Sequence, residues 1–194
     1  SYMFTFCSKL EQIDLSNFDL SNVIYMTRMF YSCGKCKEIN MPNYVKNKVI
    51  DMSFMFSFLS SILTISFENL DTSQCQDMSH MFQSSSFKAL DIQKLNTTNV
   101  KDMSHMFREC NYITSLDFSN FDTKNVEDMS YMFSNCGALQ KLDLSSFHTT
   151  NLKNMDSMFK SCNALQEIDL SKFDTENVIS MKNLFSHCGF LHNL

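Results

Sequence analysis

The chain has no tryptophan, one proline and three glycines in 194 residues. So little proline and glycine leaves no stretch that reads as an internal linker, and no glycine-rich loop to cradle a phosphate. No apolar run approaches the ~18 residues that a membrane-spanning helix requires. Lys and Arg number 16 against 21 Asp and Glu, for a net charge of −5. With no basic cluster to offset that balance, a nucleic-acid groove is not expected. No nucleophile, base and orienting acid stand apart from the general pattern, so the chain is not expected to be an enzyme or to carry a cofactor. A signal peptide is missing from the start, yet residues 1–4, "SYMF", recur at 130–133. The expectation is therefore an excerpt of a longer protein, with both capping units outside it.

What is abundant is Met (15), Phe (19) and Cys (8), and these are periodic. A Met-Phe or Leu-Phe pair begins at Met3, Met29, Met55, Met81, Met106, Met132, Met158 and Leu184, a step of 26 residues with one step of 25. An apolar-polar-apolar triplet begins at Ile13, Ile39, Ile65, Leu90, Leu116, Leu142 and Ile168 with the same step, so one residue is lost between Phe82 and Leu90. The unit reads L-D-L-S-x-F-D-T-x-N-V-x-D-M-S-x-M-F-x-x-C-x-x-L-x-x. About seven copies make residues 1–194 a single repeat array.

Local rules then assign one copy. The alternating triplet predicts a short parallel strand, and N-V-x-D-M a possible second one. Thr27, Ser53, Ser79, Ser104, Ser130 or Asp156 precedes x-M-F as an N-cap would. Met132, Cys136 and Leu139 fall at i, i+4 and i+7, the stripe of a short helix over x-M-F-x-x-C. Gly34, Gly137 and Gly189, with Asn111 and Asn163 elsewhere, follow the Cys register, where a helix would end in a left-handed residue. A unit this small cannot bury its own apolar face, but stacked copies can share one core. The predicted fold is an α/β solenoid, a leucine-rich-repeat-like right-handed coil of ~26-residue units.

The sulfur series first suggests a metal or redox site, because soft ligands and carboxylates build such sites. Yet every methionine but Met41 lies at one of two repeat positions, and Cys7, Cys33, Cys110, Cys136, Cys162 and Cys188 at a third. Ligands must converge on a point, whereas this pattern runs along an axis, as core packing does. No disulfide or metal is predicted: stacked neighbours would carry parallel rather than converging Cβ vectors. The CxxC spacing of Cys33 and Cys36 alone is weak.

Acids at the outward strand position form a ladder, Asp14, Asp91, Asp117, Asp143 and Asp169, with Asn40 and Ser66 in two copies. Carboxylates ~4.8 Å apart repel by roughly 0.9 kcal/mol in water, so local hydrogen bonds or calcium should compensate. A second series, Asp19, Asp71, Asp122 and Asp174, suits Asx turns, and Asn22, Asn99, Asn125, Asn151 and Asn177 suit bonds between coils. His80 and His105 share a variable position on adjacent coils and are expected to face solvent, where a His pair could hold a surface metal.

The units "LDFSNFDTKNVEDMSYMFSNCGA" (116–138) and "IDLSKFDTENVISMKNLFSHCGF" (168–190) resemble the BspA-type leucine-rich repeat surface proteins, which include mycoplasma lipoproteins. The resemblance spans essentially the whole chain and departs most in the copy "INMPNYVKNKVIDMSFMFSFLS". It implies a non-catalytic solenoid for adhesion at the cell surface, and it assigns no residue a role. The expected function is protein binding through the outward strand stripe. That stripe comprises Gln12, Asp14, Glu38, Asn40, Asp91, Ser115, Asp117, Lys141, Asp143, Glu167 and Asp169. The alternatives are an intracellular architectural element, which eight unpaired cysteines would suit, and calcium-dependent adhesion. Partner identity and oligomeric state are not encoded in any motif.

Overall fold

Each Met-Phe segment alternates between two hydrogen-bonding habits, and neither is helical. The N–H groups of Met29, Tyr31 and Cys33 close tight turns onto Met26, Arg28 and Phe30 carbonyls, while those of Arg28, Phe30 and Ser32 reach Ser53, Met55 and Ser57 in the following copy. Arg28 and Ser32 have φ of 53° and 60°, in the left-handed region. The computed structural model describes residues 1–42 and 48–194, and among the described residues there is no helix. Residues 43–47, part of the most divergent copy, lie outside them.

The expected α/β solenoid with a leucine-rich-repeat-like helix in each unit is therefore wrong, and the spacing of the coils explains why. Successive copies are bonded to each other on the strand side and on the Met-Phe side. Both rows must then sit at roughly the 4.8 Å separation of paired strands. An α-helix with its side chains is about 10 Å across, so helices cannot stack at that pitch. The backbone instead folds into turns whose spare N–H groups are satisfied by the next copy.

Regular strand is also sparser than the sequence implies. Among the described residues three strands form, β1 (Gln12–Asp14), β2 (Glu38–Asn40) and β3 (Thr64–Ile65). They make an open parallel sheet in the order β1-β2-β3, with Ile13 opposite Ile39 and Ile39 opposite Ile65. The sheet ends just before the copy that is one residue short. Beyond it the alternation persists without the ladder: Leu116, Phe118, Leu142 and Leu144 are buried between exposed neighbours. The second strand expected over N-V-x-D-M shrinks to one paired residue per copy. Parallel bridges join Tyr25 to Asp51, Asp51 to Asp77, Asp77 to Asp102, Asp102 to Asp128, Asp128 to Asn154 and Asn154 to Ser180.

The core is built from columns. Phe4, Phe30, Phe56, Phe82, Phe107, Phe133, Phe159 and Phe185 stack nearly parallel, the closest pair 5.3 Å and the widest 5.9 Å apart between centroids. Phe67, Phe87 and Phe118 meet this column edge-on. Such offset and edge contacts add roughly 0.5–1.5 kcal/mol per pair beyond burial. Both methionine registers are buried in the inner copies.

The buried polar groups are matched just as regularly. Thr123 Oγ1 donates to the His148 carbonyl at 3.0 Å and accepts the His148 N–H at 2.8 Å, and Thr72, Thr97 and Thr149 repeat the exchange. Asn99, Asn125, Asn151 and Asn177 each donate to a carbonyl of the preceding copy, as their position suggested.

Candidate functional site

The triplet's middle residue points outward, and its carboxylate is held in place by its own backbone. Oδ1 of Asp14, Asp91, Asp117, Asp143 and Asp169 accepts the N–H two residues on, at 2.8–3.0 Å. These bonds favour the charged form and hold the carboxyls of Asp14, Asp117, Asp143 and Asp169 below the ordinary carboxylate value. The repulsion between neighbouring acids is thus met locally. Asp19, Asp71, Asp122 and Asp174 make the same turn.

All seven candidate binding residues lie on this exposed face, along three depressions. Asp91, Asp117 and Asp143 border a cavity of about 860 Å³ with Leu63, Thr64 and Lys88. It opens where β3 loses its neighbour, beside the shortened copy. Lys141, Asp143, Glu167 and Asp169 line a second of about 460 Å³. Asp14 borders a third of about 330 Å³ with Asn40 and Ser66. Asp143 joins the first two, so the stripe is continuous from Asp91 to Asp169.

The sulfur series takes no part in this face. All eight cysteines are free. Cys33, Cys110, Cys136, Cys162 and Cys188 point their thiols at the carbonyl of a core Phe one copy back, 2.9–3.1 Å away. Ser85 substitutes in kind, donating to the Phe56 carbonyl at 2.7 Å. Burial pushes the thiols of Cys33, Cys75, Cys110 and Cys162 up to about 12, so they carry no thiolate for metal or redox chemistry near neutral pH. Among the described residues, no three His, Cys, Asp or Glu side chains gather as a metal site would need.

Two expectations about the turn region need correcting. The serines do not cap a helix. Instead Asp51, Asp77, Asp102 and Asp128 accept the N–H of Ser53, Ser79, Ser104 and Ser130. Nor do the glycines hold the left-handed positions, since none has positive φ.

His80 and His105 are half-buried rather than freely solvated, and they belong to a column of rings. Phe54 stacks on His80 at 4.0 Å, His80 on His105 at 4.2 Å and His105 on Tyr131 at 4.7 Å. Arg28 occupies the same register one copy before Phe54, with Cζ 4.5 Å from the Phe54 ring centroid. The sequence carried the signal for this column: the residue before Met-Phe is Tyr, Arg, Phe, His, His, Tyr in six successive copies. It is visible only when copies are read across rather than along the chain.

No curated protein and no solved structure matches this chain. A family described as "Mycoplasma protein of unknown function, DUF285" matches residues 1–65, 50–167 and 114–193 in overlapping segments that take in nearly the whole repeat array. The chain belongs to that family.

Proposed function

We propose that this chain is a non-enzymatic protein-binding module, an adhesion scaffold displayed at the cell surface as BspA-type repeat proteins are. The observation that carries the reading is the grooved acidic stripe, in which Asp91, Asp117 and Asp143 border one cavity with apolar Leu63 and Leu116. Their carboxylates are already fixed by backbone N–H groups, so little side-chain freedom remains to be lost on binding. A basic partner segment fits the stripe best, and charge complementarity speeds its approach. Family membership and the repeat-by-repeat likeness to BspA-type units support the surface location.

The competing reading, an architectural element inside the cell, draws on the eight free thiols. Burial weakens that argument for the six cysteines of the core, because thiols sealed there and lacking thiolate character stay reduced in either compartment.

The test is a peptide-display selection on the wild-type protein, with the triple variant Asp117→Asn, Asp143→Asn, Asp169→Asn as the comparison. Asn keeps the Oδ1 brace, as Asn154 does for the Asp156 N–H at 3.1 Å. Selected peptides should be rich in Lys and Arg and should bind the variant at least about tenfold more weakly. Equal affinity for a variant with an unchanged unfolding curve would remove the stripe from the binding surface.

A further inference from the structure

Arg28 is a ring-clamped cation with no counter-ion among the described residues. Its Cζ lies 4.5, 5.4 and 5.9 Å from the ring centroids of Phe54, Tyr31 and Tyr2. Its Nε is buried with no hydrogen-bond partner. Among the described residues no carboxylate is within ion-pair distance of it; the acids in ion pairs there are Glu11, Glu109 and Glu127. Residues 43–47 contain no acid that could serve.

Arg108 supplies an internal contrast. It too lies against an aromatic ring, with Cζ 5.6 Å from the Tyr131 centroid, but its guanidinium is bridged to Glu109 at 3.0 Å. In a chain of net charge −5, an aromatic-clamped arginine left unneutralised is the exception.

The collar extends past the three rings. Tyr31 is met edge-on by Phe6 at 5.5 Å and Phe58 at 5.2 Å, and Arg28, Tyr31, Phe54 and Phe58 are each partly exposed. Partly exposed Tyr and Phe around a pre-oriented Arg are the makings of a binding hot spot. The rings hold the guanidinium plane, so a carboxylate can meet its fork without first ordering a long side chain.

We propose that Arg28, with Tyr2, Phe6, Tyr31 and Phe54, is a docking surface for a protein partner that inserts one Asp or Glu flanked by apolar residues. A single cation matches a single carboxylate. Among the described residues Arg28 is the one cation set over the Tyr2, Tyr31 and Phe54 rings, and polyanions such as RNA are repelled by the net charge of the chain. The patch lies at a different repeat register from the acidic stripe, so the two surfaces stand or fall separately.

The experiment uses two acetylated, amidated peptides, one alternating Leu and Glu, the other Leu and Gln, titrated into isotope-labelled protein while the Arg Nε–Hε signals are followed. The Glu peptide should shift the Arg28 signal saturably, and the Gln peptide should bind at least about tenfold more weakly. Arg28→Met should abolish the response of the patch, whereas Arg108→Met and the Asp117, Asp143, Asp169 triple variant should bind as wild type does. Equal binding of the two peptides, no saturable shift with the Glu peptide, or wild-type affinity in Arg28→Met would overturn the proposal. An equal shift with single-stranded RNA would overturn the assignment to a protein partner. The peptide comparison is made on the wild-type chain, so it decides even if a variant fails to fold.

Discussion

The ring column makes the stability of the fold depend on pH over a window set by two histidines. Burial holds His80 below its ordinary value despite the raising influence of Gln83, Asp102 and Asp77, with Arg108 adding to the depression. His105 is pushed from 6.5 to about 4, by burial first and then by His80 and Arg108, against the opposing pull of Asp128 and Glu109. A folded value below the unfolded one means that the unfolded chain takes up the proton first. Stability is therefore full above the unfolded value and drains away as pH falls from there towards the folded value. For His105 the full shift would be worth ~3 kcal/mol, and solvent reaching the half-buried ring reduces it to about 1–2 kcal/mol. The carboxyls depressed by their backbone braces titrate below this window, and Asp77, which burial raises, acts in the opposite sense. Urea unfolding of the wild type at about pH 7 and about pH 5 should thus show a loss of ~1–2 kcal/mol. The double variant His80→Phe, His105→Phe keeps the stack and removes the titration. Phe54 already occupies this register at φ 57°, so the backbone accepts it. Its pH slope should be nearly flat over the same range. A double variant as acid-sensitive as the wild type would show that the histidine column is not the source.

Ser85 links two buried backbone groups, accepting the Leu59 N–H at 3.0 Å and donating to the Phe56 carbonyl. Ser85→Ala should cost ~1–3 kcal/mol by denaturant unfolding, and Ser85→Cys, the residue of six other copies, clearly less. At Ser161, with φ of 59°, replacement by Gly should be neutral or stabilising by up to ~1 kcal/mol, and replacement by Val should cost ~1–2 kcal/mol. A helix there would invert the result, with Gly costing ~1 kcal/mol, so calorimetric melting of the pair separates the two backbones. Thiol titration of the native protein should find Cys7 and Cys188, the half-buried pair, reacting well before the six buried cysteines, and all eight after unfolding in urea. Rapid native reaction of Cys110 or Cys136 would contradict the sealed core.

Features fixed by a residue's own neighbourhood were legible in the sequence. Asp143 braces the N–H of Ser145, and Asn125 reaches the carbonyl of Thr98, because short polar side chains have few other ways to act in a turn. The burial of Met132, Cys136 and Leu139 was legible too, since apolar residues in a strict repeat have only the shared core to enter. The backbone that carries them was not. A stripe at i, i+4 and i+7 behind a serine is what a helix requires, yet the same residues are buried equally well by a chain of tight turns. Only the pitch between coils decides between the two, and pitch belongs to no single copy. Arg28 and the histidines were obscured for a related reason: their partners are one whole repeat away, at a position that looks merely variable along the chain.

The left-handed residues tie these points together. Among the described residues sixteen non-glycine residues have positive φ, two in each Met-Phe or Leu-Phe segment, and a left-handed conformation costs such residues roughly 1–2 kcal/mol apiece. In every copy that has a successor, those same residues donate their N–H to the next coil, as His105 does to Ser130 and Glu109 to Ser134. The bond that offsets the strain is made by the backbone and is indifferent to the side chain. That is why Tyr, Arg, Phe, His, Ser and Asn can all occupy the residue before Met-Phe or Leu-Phe, and why no glycine marks the place. A position whose conformation is secured from outside, and whose side chain stays out of the core in every copy but that of Ser157, can change its chemistry without unfolding the array. The repeat thereby carries a second variable ridge apart from its strand face, and the caged Arg28 is the point on that ridge where the available chemistry is charged and unspent.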